Sequence, residues 1–233
     1  MLFSVVVCTW KRYEEINEVV SYYKKYTDDI VIWDNGGSSD EHIENKDGIL
    51  IIKPSKNVGS CSKFKAVAFT KNDNILITDD DIVPKNGLVE DMVGFSNKKY
   101  CDLFALFGRK FPEGGGYNHD EAQRVRSKDI TEPTKVDFLG VLYFGKREFF
   151  TMDFKNTQSV YDDVMLIFLQ NKIKQNLSRY IFPTKNYRYT KDMIGKYELC
   201  NQPEFYSKRD KLAKAIYRND TVVIENVLRG GDV

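Results

Sequence analysis

The chain is 233 residues long, 42% hydrophobic and 13% aromatic, enough apolar material for the core of one large domain and too much for a disordered chain. Its 35 basic residues are balanced by 34 acidic ones, so net charge gives no reason to expect binding to nucleic acid or an anionic membrane surface. No segment approaches the roughly 18 continuous apolar residues of a membrane span, and Cys8, Cys61, Cys101 and Cys200 show neither C-x-x-C pairing nor zinc spacing, as expected of reduced thiols in a cytoplasmic protein.

In chain order, Phe3 to Cys8 is a short β-branched run with no basic leader or cleavage site around it, and it reads as a first strand. Tyr13 to Tyr26 follows, with Ile16, Val19, Val20 and Tyr23 at helical spacing. Asp29 to Trp33 is a second strand that stops at the turn signal Asp34-Asn35-Gly36-Gly37, after which Ser38-Ser39-Asp40 can cap a short helix. Ile49 to Ile52 is a third strand, Lys63 to Thr70 a helix, and Ile75 to Thr78 a fourth strand. This alternation predicts an α/β fold with a mainly parallel central sheet flanked by helices.

The fourth strand runs into Asp79-Asp80-Asp81, followed by Pro84. Three adjacent carboxylates repel one another and drift toward protonation unless a cation holds them ionised. Hard oxygen ligands suit Mg2+ or Mn2+, commonly shared with substrate phosphates; the blander reading is a solvated acidic turn. Position favours the former: in alternating sheets ligands bind beyond the carboxyl ends of the strands. There Thr9 to Arg12, Asp34-Asn35, Asn57 to Lys63 and the triplet should converge.

The second half is less regular. Leu88 to Phe95 reads as a helix, and Leu103 to Phe107 and Val136 to Phe144 as strands. Between those strands, Gly108 to Thr134 carries Gly114-Gly115-Gly116 and little periodicity, which suits an acceptor-binding loop or lid. Asp162 and Asp163 precede the helical run Val164 to Leu169, where simple capping is the plainer role. Tyr206 to Tyr217 is a basic helix carrying Arg209, and His42 and His119 read as ordinary exposed histidines.

Taken in order, these motifs resemble the GT-A glycosyltransferases, and within them the exostosin-type (family 64-like) enzymes more than the broad family-2 group. The resemblance rests on Ser4 to Arg12, Ile30 to Asn35, Asn57 with Ser62-Lys63-Phe64, Asp79 to Ile82, Tyr161 to Val164, and Arg209. Lys63 stands where that family has arginine and Asp34 where it has asparagine, and the Golgi anchor of animal members is missing, which points to a soluble bacterial or viral enzyme. The resemblance implies a single GT-A domain over 1–233, with a nucleotide-sugar half at 1–100 and an acceptor-binding and catalytic half at 101–233. It further implies metal-dependent transfer from a UDP-sugar to a glycan hydroxyl with retention of configuration.

By the same resemblance Asp81 and Asp79 ligate Mn2+ or Mg2+, and Asp79 or Asp80 reaches the ribose or a metal-bound water. Thr9, Arg12, Asp34, Asn35 and Asn57 line the nucleotide site, Lys63 and Arg209 pair with phosphate oxygens, and Asp162 or Asp163 is the reacting carboxylate. Three rivals share parts of the pattern. A haloacid-dehalogenase-type phosphatase fits Asp79-x-Asp81, a nucleotidylyltransferase lacks its Gly-rich first loop here, and a non-catalytic nucleotide-sugar-binding module keeps every binding residue.

Overall fold

The computed structural model describes residues 1–59, 62–98, 100–117, 123–151, 162–190, 204–229 and 231–233. Within them one sheet runs through both halves of the chain. Its first part is parallel: β3 (Ile49–Ile52), β2 (Ile30–Asp34), β1 (Ser4–Thr9) and β4 (Asn74–Asp79) lie side by side in that order. Val5, Val6 and Val7 of β1 are each wholly buried, as a continuous apolar run must be in a strand covered on both faces.

β9 (Phe138–Lys146) then joins β4 antiparallel, followed by β6 (Leu103–Lys110), β10 (Arg179–Ile181) and β8 (Thr134–Lys135), with β7 (Gln123–Arg126) also paired to β6. The sheet is therefore mixed, its parallel part confined to the order expected for the first four strands and to the β6–β10 pair. A separate two-stranded ribbon pairs β5 (Ile82–Pro84) with β11 (Tyr187–Tyr189), so the chain just beyond the acidic triplet is clamped by a much later segment.

Alternate residues of each strand feed two cores. On one face Val5, Val7, Ile30, Ile32, Leu76 and Phe104 pack under α1 (Ile16–Tyr23) and α3 (Leu88–Asn97). On the other Val6, Val31, Ile75, Ile77, Leu103 and Ala105 pack under α2 (Ser62–Ala66), α4 (Asp162–Ile173), α5 (Phe205–Tyr217) and α6 (Thr221–Leu228). The expected helices recur with trimmed ends: α1 begins at Ile16 rather than Tyr13, and α2 gives way to a 3-10 turn over Val67–Phe69. No helix among the described residues is long and apolar enough to cross a membrane.

The antiparallel entry of β9 shapes the rim beside the triplet. β9 pairs with β4 only as far as Ile77↔Tyr143, and the next residues back along β9, Leu142 (φ 53°) and Val141 (φ 58°), are left-handed. These two residues are also where the β6–β9 ladder slips register, between Ala105 and Phe107. The bulge turns β9 away from β4, leaving Thr78 and Asp79 without a β9 partner where the acids begin.

Candidate active site

Thr9, Arg12, Asp34, Asn35, Asn57, Lys63 and the triplet all follow strand ends on one rim, as predicted, but they do not all face the same way. Asp80 is turned into the protein with a side chain 1% exposed. It accepts from Thr9 Oγ1 at 2.8 Å and from the Trp10 backbone N–H at 3.3 Å, and pairs with Arg12 at 2.7 Å. Burial pushes its carboxyl up to about 7, against the opposing pull of Arg12. Asp80 thus ties the end of β4 to the end of β1.

Asp79 and Asp81 keep 28% and 22% of their side-chain surface exposed. Lys63 Nζ lies 3.3 Å from Asp79 and Arg12 Nη1 3.4 Å from Asp81. Burial raises the Asp81 carboxyl above the usual carboxylate range, the charge of Asp79 adding to this and Arg12 opposing it. The Lys63 side chain, 5% exposed, is sunk between the rings of Phe64 and Tyr143, its ammonium 5.7 and 5.3 Å from their centroids.

Asp34 is wholly buried and already fully engaged. Its carboxylate accepts from Tyr13 Oη at 2.9 Å, from the backbone N–H groups of Gly36 and Gly37 at 2.9 and 2.8 Å, and from that of Ser39 at 2.7 Å. Burial by itself would raise its pKa; the N–H donors of Ser39 and Gly37 outweigh that and hold it below the usual range. Asp34 thereby shapes the loop that follows β2. Asn35 likewise bonds Gly59 O and Ser62 Oγ through Nδ2, each at 3.2 Å, and accepts from Trp33 Nε1 and the Val58 N–H, stitching the 57–62 loop to β2. Asn57 is exposed beyond it, its side chain accepting from the Gly59 N–H at 2.8 Å.

Helix α4 covers the expected run Val164 to Leu169 and extends beyond it, from Asp162 to Ile173, though the side chains of Asp162 and Asp163 lie outside the described residues, as do His119 and Tyr161. Arg209, on α5, is 2% exposed and donates to Tyr117 Oη at 2.9 Å, its guanidinium 4.4 Å from the Phe205 ring centroid and 5.0 Å from that of Tyr117. Arg109, near the end of β6, approaches the same Tyr117 ring at 4.9 Å. Neither Arg109 nor Tyr117 was singled out in the sequence; their signal was the Gly114-Gly115-Gly116 run. A Cβ on Gly115 (φ 73°) would lie 2.5 Å from Tyr217, so only glycine lets that loop press onto α5 and deliver Tyr117. The 108–134 stretch is accordingly more structured than its composition suggests, holding β7, β8 and a 3-10 turn over Ser127–Asp129.

Among the described residues no three acids, histidines or cysteines gather into a self-sufficient metal cage. Two outward carboxylates suit instead a hard cation that completes its shell with substrate oxygens, so the residues fit Mn2+ or Mg2+. A phosphatase of the haloacid-dehalogenase type would carry its Asp-x-Asp on the first strand; here Asp79 ends the fourth.

A comparison with curated proteins returns no match. Among solved structures the fold is similar to S. aureus TarS 1-349, with a TM-score of 0.57 and 15% identity over 82% of this chain and 60% of that one. The same protein in complex with UDP-GlcNAc gives 0.57 and 16% over 82% and 58%, and in complex with UDP 0.57 and 16% over 82% and 60%. The chain therefore spans about 60% of the TarS 1-349 length, and at this identity the likeness establishes the GT-A fold alone. The model of glycosyl transferase family 2 matches residues 4–155, which include every rim residue from Thr9 to Asp81, and the chain belongs to that family.

Proposed function

We propose that this protein transfers a sugar from a UDP-sugar to a hydroxyl of a glycan acceptor, with Mn2+ or Mg2+ at Asp79 and Asp81. One observation carries the reading: the triplet is split, Asp80 sealed inward against Thr9 and Arg12 while Asp79 and Asp81 face outward beside Lys63. A solvated acidic turn has no use for that division. When bound, the metal supplies Lewis acidity to the departing diphosphate. Lys63 would meet phosphate oxygens with its ammonium, and Arg12, braced by Asp80, would turn toward the same oxygens the N–H donors that Asp80 leaves over. Asn57 is the exposed polar group for the nucleoside, while Thr9, Asp34, Asn35 and Asp80 keep the loops in shape beneath it.

Residues 1–100 would hold the donor and 101–233 the acceptor, with Asp162 or Asp163 as the reacting carboxylate and Arg209 as a further phosphate partner. TarS is described with UDP and UDP-GlcNAc, so UDP-GlcNAc is the first donor to test. Calorimetry with UDP and a panel of UDP-sugars, with and without Mn2+, is the decisive experiment: metal-dependent binding is expected, and no UDP binding under either condition overturns the proposal. Asp81→Ala should lose metal-dependent donor binding, whereas Asp162→Ala or Asp163→Ala should spare binding and lose turnover. Retention rests on the exostosin-type resemblance alone. NMR of the product's anomeric proton decides it, inversion making the carboxylate a general base.

A further inference from the structure

Arg109 is 4% exposed, and its Nε and Nη1 have no hydrogen-bond partner among the described residues. Its neighbours are the rings of Tyr117 and Phe107, at 4.9 and 5.4 Å, and the positive charge of Arg124. No carboxylate among the described residues pairs with it. Arg209, also buried, lies over the same Tyr117 ring at 5.0 Å. Arg109 thus sets a buried guanidinium with two idle N–H donors against aromatic faces that only partly offset its charge. Burial lowers the pKa of Arg109, as expected of a cation lacking a counter-anion.

The strand register locates this cluster. Ile77 of β4 is level with Tyr143 of β9, and Tyr143 with Ala105 of β6, so β6 runs toward the same rim as β4 and Arg109 stands at its far end. With about 4.8 Å between strands and about 3.3 Å per residue, Arg109 and Asp79 are on the order of 13 Å apart. They share a face of the sheet, since Ile75 and Ile77, four and two residues before Asp79, pack in the same core as Leu103 and Ala105. Arg124, half-buried, and Tyr206, exposed, both act electrostatically on Arg109.

We propose that Arg109, with Tyr117 and Arg209, forms a binding site for a phosphate-type oxyanion, Arg109 supplying a two-point donor fork through Nε and Nη1. The oxyanion has two possible sources, a phosphate group on the acceptor or the diphosphate of the donor. The distance from Asp79 suits the first, and the site then deepens the transferase reading, on which its biological meaning rests.

The test uses inorganic phosphate as probe, followed by 31P NMR titration and thermal shift on the full chain. Wild type should bind phosphate saturably, with affinity at least tenfold above that of Arg109→Met. Arg109→Met should melt at or above the wild-type temperature without phosphate, because an uncompensated buried charge is gone, which also proves the variant folded. Arg109→Lys, a point charge without the planar fork, should bind with intermediate affinity. Repeating the titration with saturating UDP and Mn2+ separates the sources: persistence assigns the site to the acceptor, displacement to the donor diphosphate. Wild-type affinity in folded Arg109→Met, or no saturable binding in wild type, overturns the proposal. Phosphate binding is read without UDP, so failure of the transferase reading leaves a separate result.

Discussion

Arg12 and Asp80 meet at 2.7 Å with the carboxylate almost fully sealed, and this pair divides an apparently uniform acidic run into one internal brace and two outward ligands. Asp80→Ala strips the acceptor from Thr9 Oγ1 and the Trp10 N–H and leaves Arg12 short of one anion, which should cost about 3 kcal/mol of stability. Asp79→Ala and Asp81→Ala remove half-exposed charges from a repelling cluster and should shift stability by less than about 1 kcal/mol. Urea denaturation of the three variants checks this. Equal losses in all three would mean that the triplet is a single structural unit.

Asp34 acts through the loop it gathers. Its four donors span residues 13 to 39, so Asp34→Ala leaves buried N–H groups unpaired and should destabilise by about 3 kcal/mol, and Asp34→Asn, which keeps one acceptor oxygen, by roughly half that. Tyr13→Phe removes one donor while the three backbone donors persist, and should cost under about 1 kcal/mol. Thermal melts of the three variants rank them. A UDP affinity lost in Asp34→Asn with no change in stability would restore a direct ligand contact.

The first four strands and the helices between them were legible because parallel strands buried on both faces read as unbroken apolar runs, as in Val5 to Val7 and Ile75 to Ile77. The convergence at the rim followed from strand order alone. Direction of side chains did not: Asp79, Asp80 and Asp81 are chemically identical, and only the long-range contact of Thr9 with Asp80 tells them apart. The β5–β11 pairing and the Arg109–Tyr117–Arg209 cluster join residues about a hundred positions apart, through segments too short or too irregular to carry a period.

Asp102 joins the starts of β6 and β10, accepting from Lys174 Nζ at 2.6 Å and from the Ser178 N–H and Oγ at 3.0 and 2.9 Å. Partial burial opposes ionisation, but Lys174 and Ser178 prevail and its folded-state pKa lies below the ordinary value. A depressed carboxyl pKa contributes stability above the unfolded-state value near 4, and that contribution fades as pH falls through the folded value. Asp102→Asn should therefore cost about 1 kcal/mol at pH 7, allowing for the exposure of Lys174, with the gap from wild type closing between about pH 4 and pH 2. Chemical denaturation across that range is the measurement. A gap independent of pH would mean that the loss lies in packing.

Val141 is a β-branched residue in a left-handed conformation, next to Leu142, also left-handed, where β9 turns away from β4. That conformation costs on the order of 1–3 kcal/mol for a side chain of this kind. Val141→Gly removes the cost while adding flexibility to the unfolded chain, so the two effects should nearly cancel and stability should stay within about 1 kcal/mol of wild type. At an unstrained, fully buried strand position such as Val6, the same change should cost more than about 3 kcal/mol. Glycine adopts that left-handed conformation freely, so the bulge should persist and Thr78 and Asp79 should stay without a β9 partner. Donor affinity, measured by calorimetry with UDP and Mn2+, should then stay within about twofold of wild type. A large loss of stability in Val141→Gly would show that the bulge is held by the packing of Val141, and that the opening beside Asp79 owes nothing to stored strain.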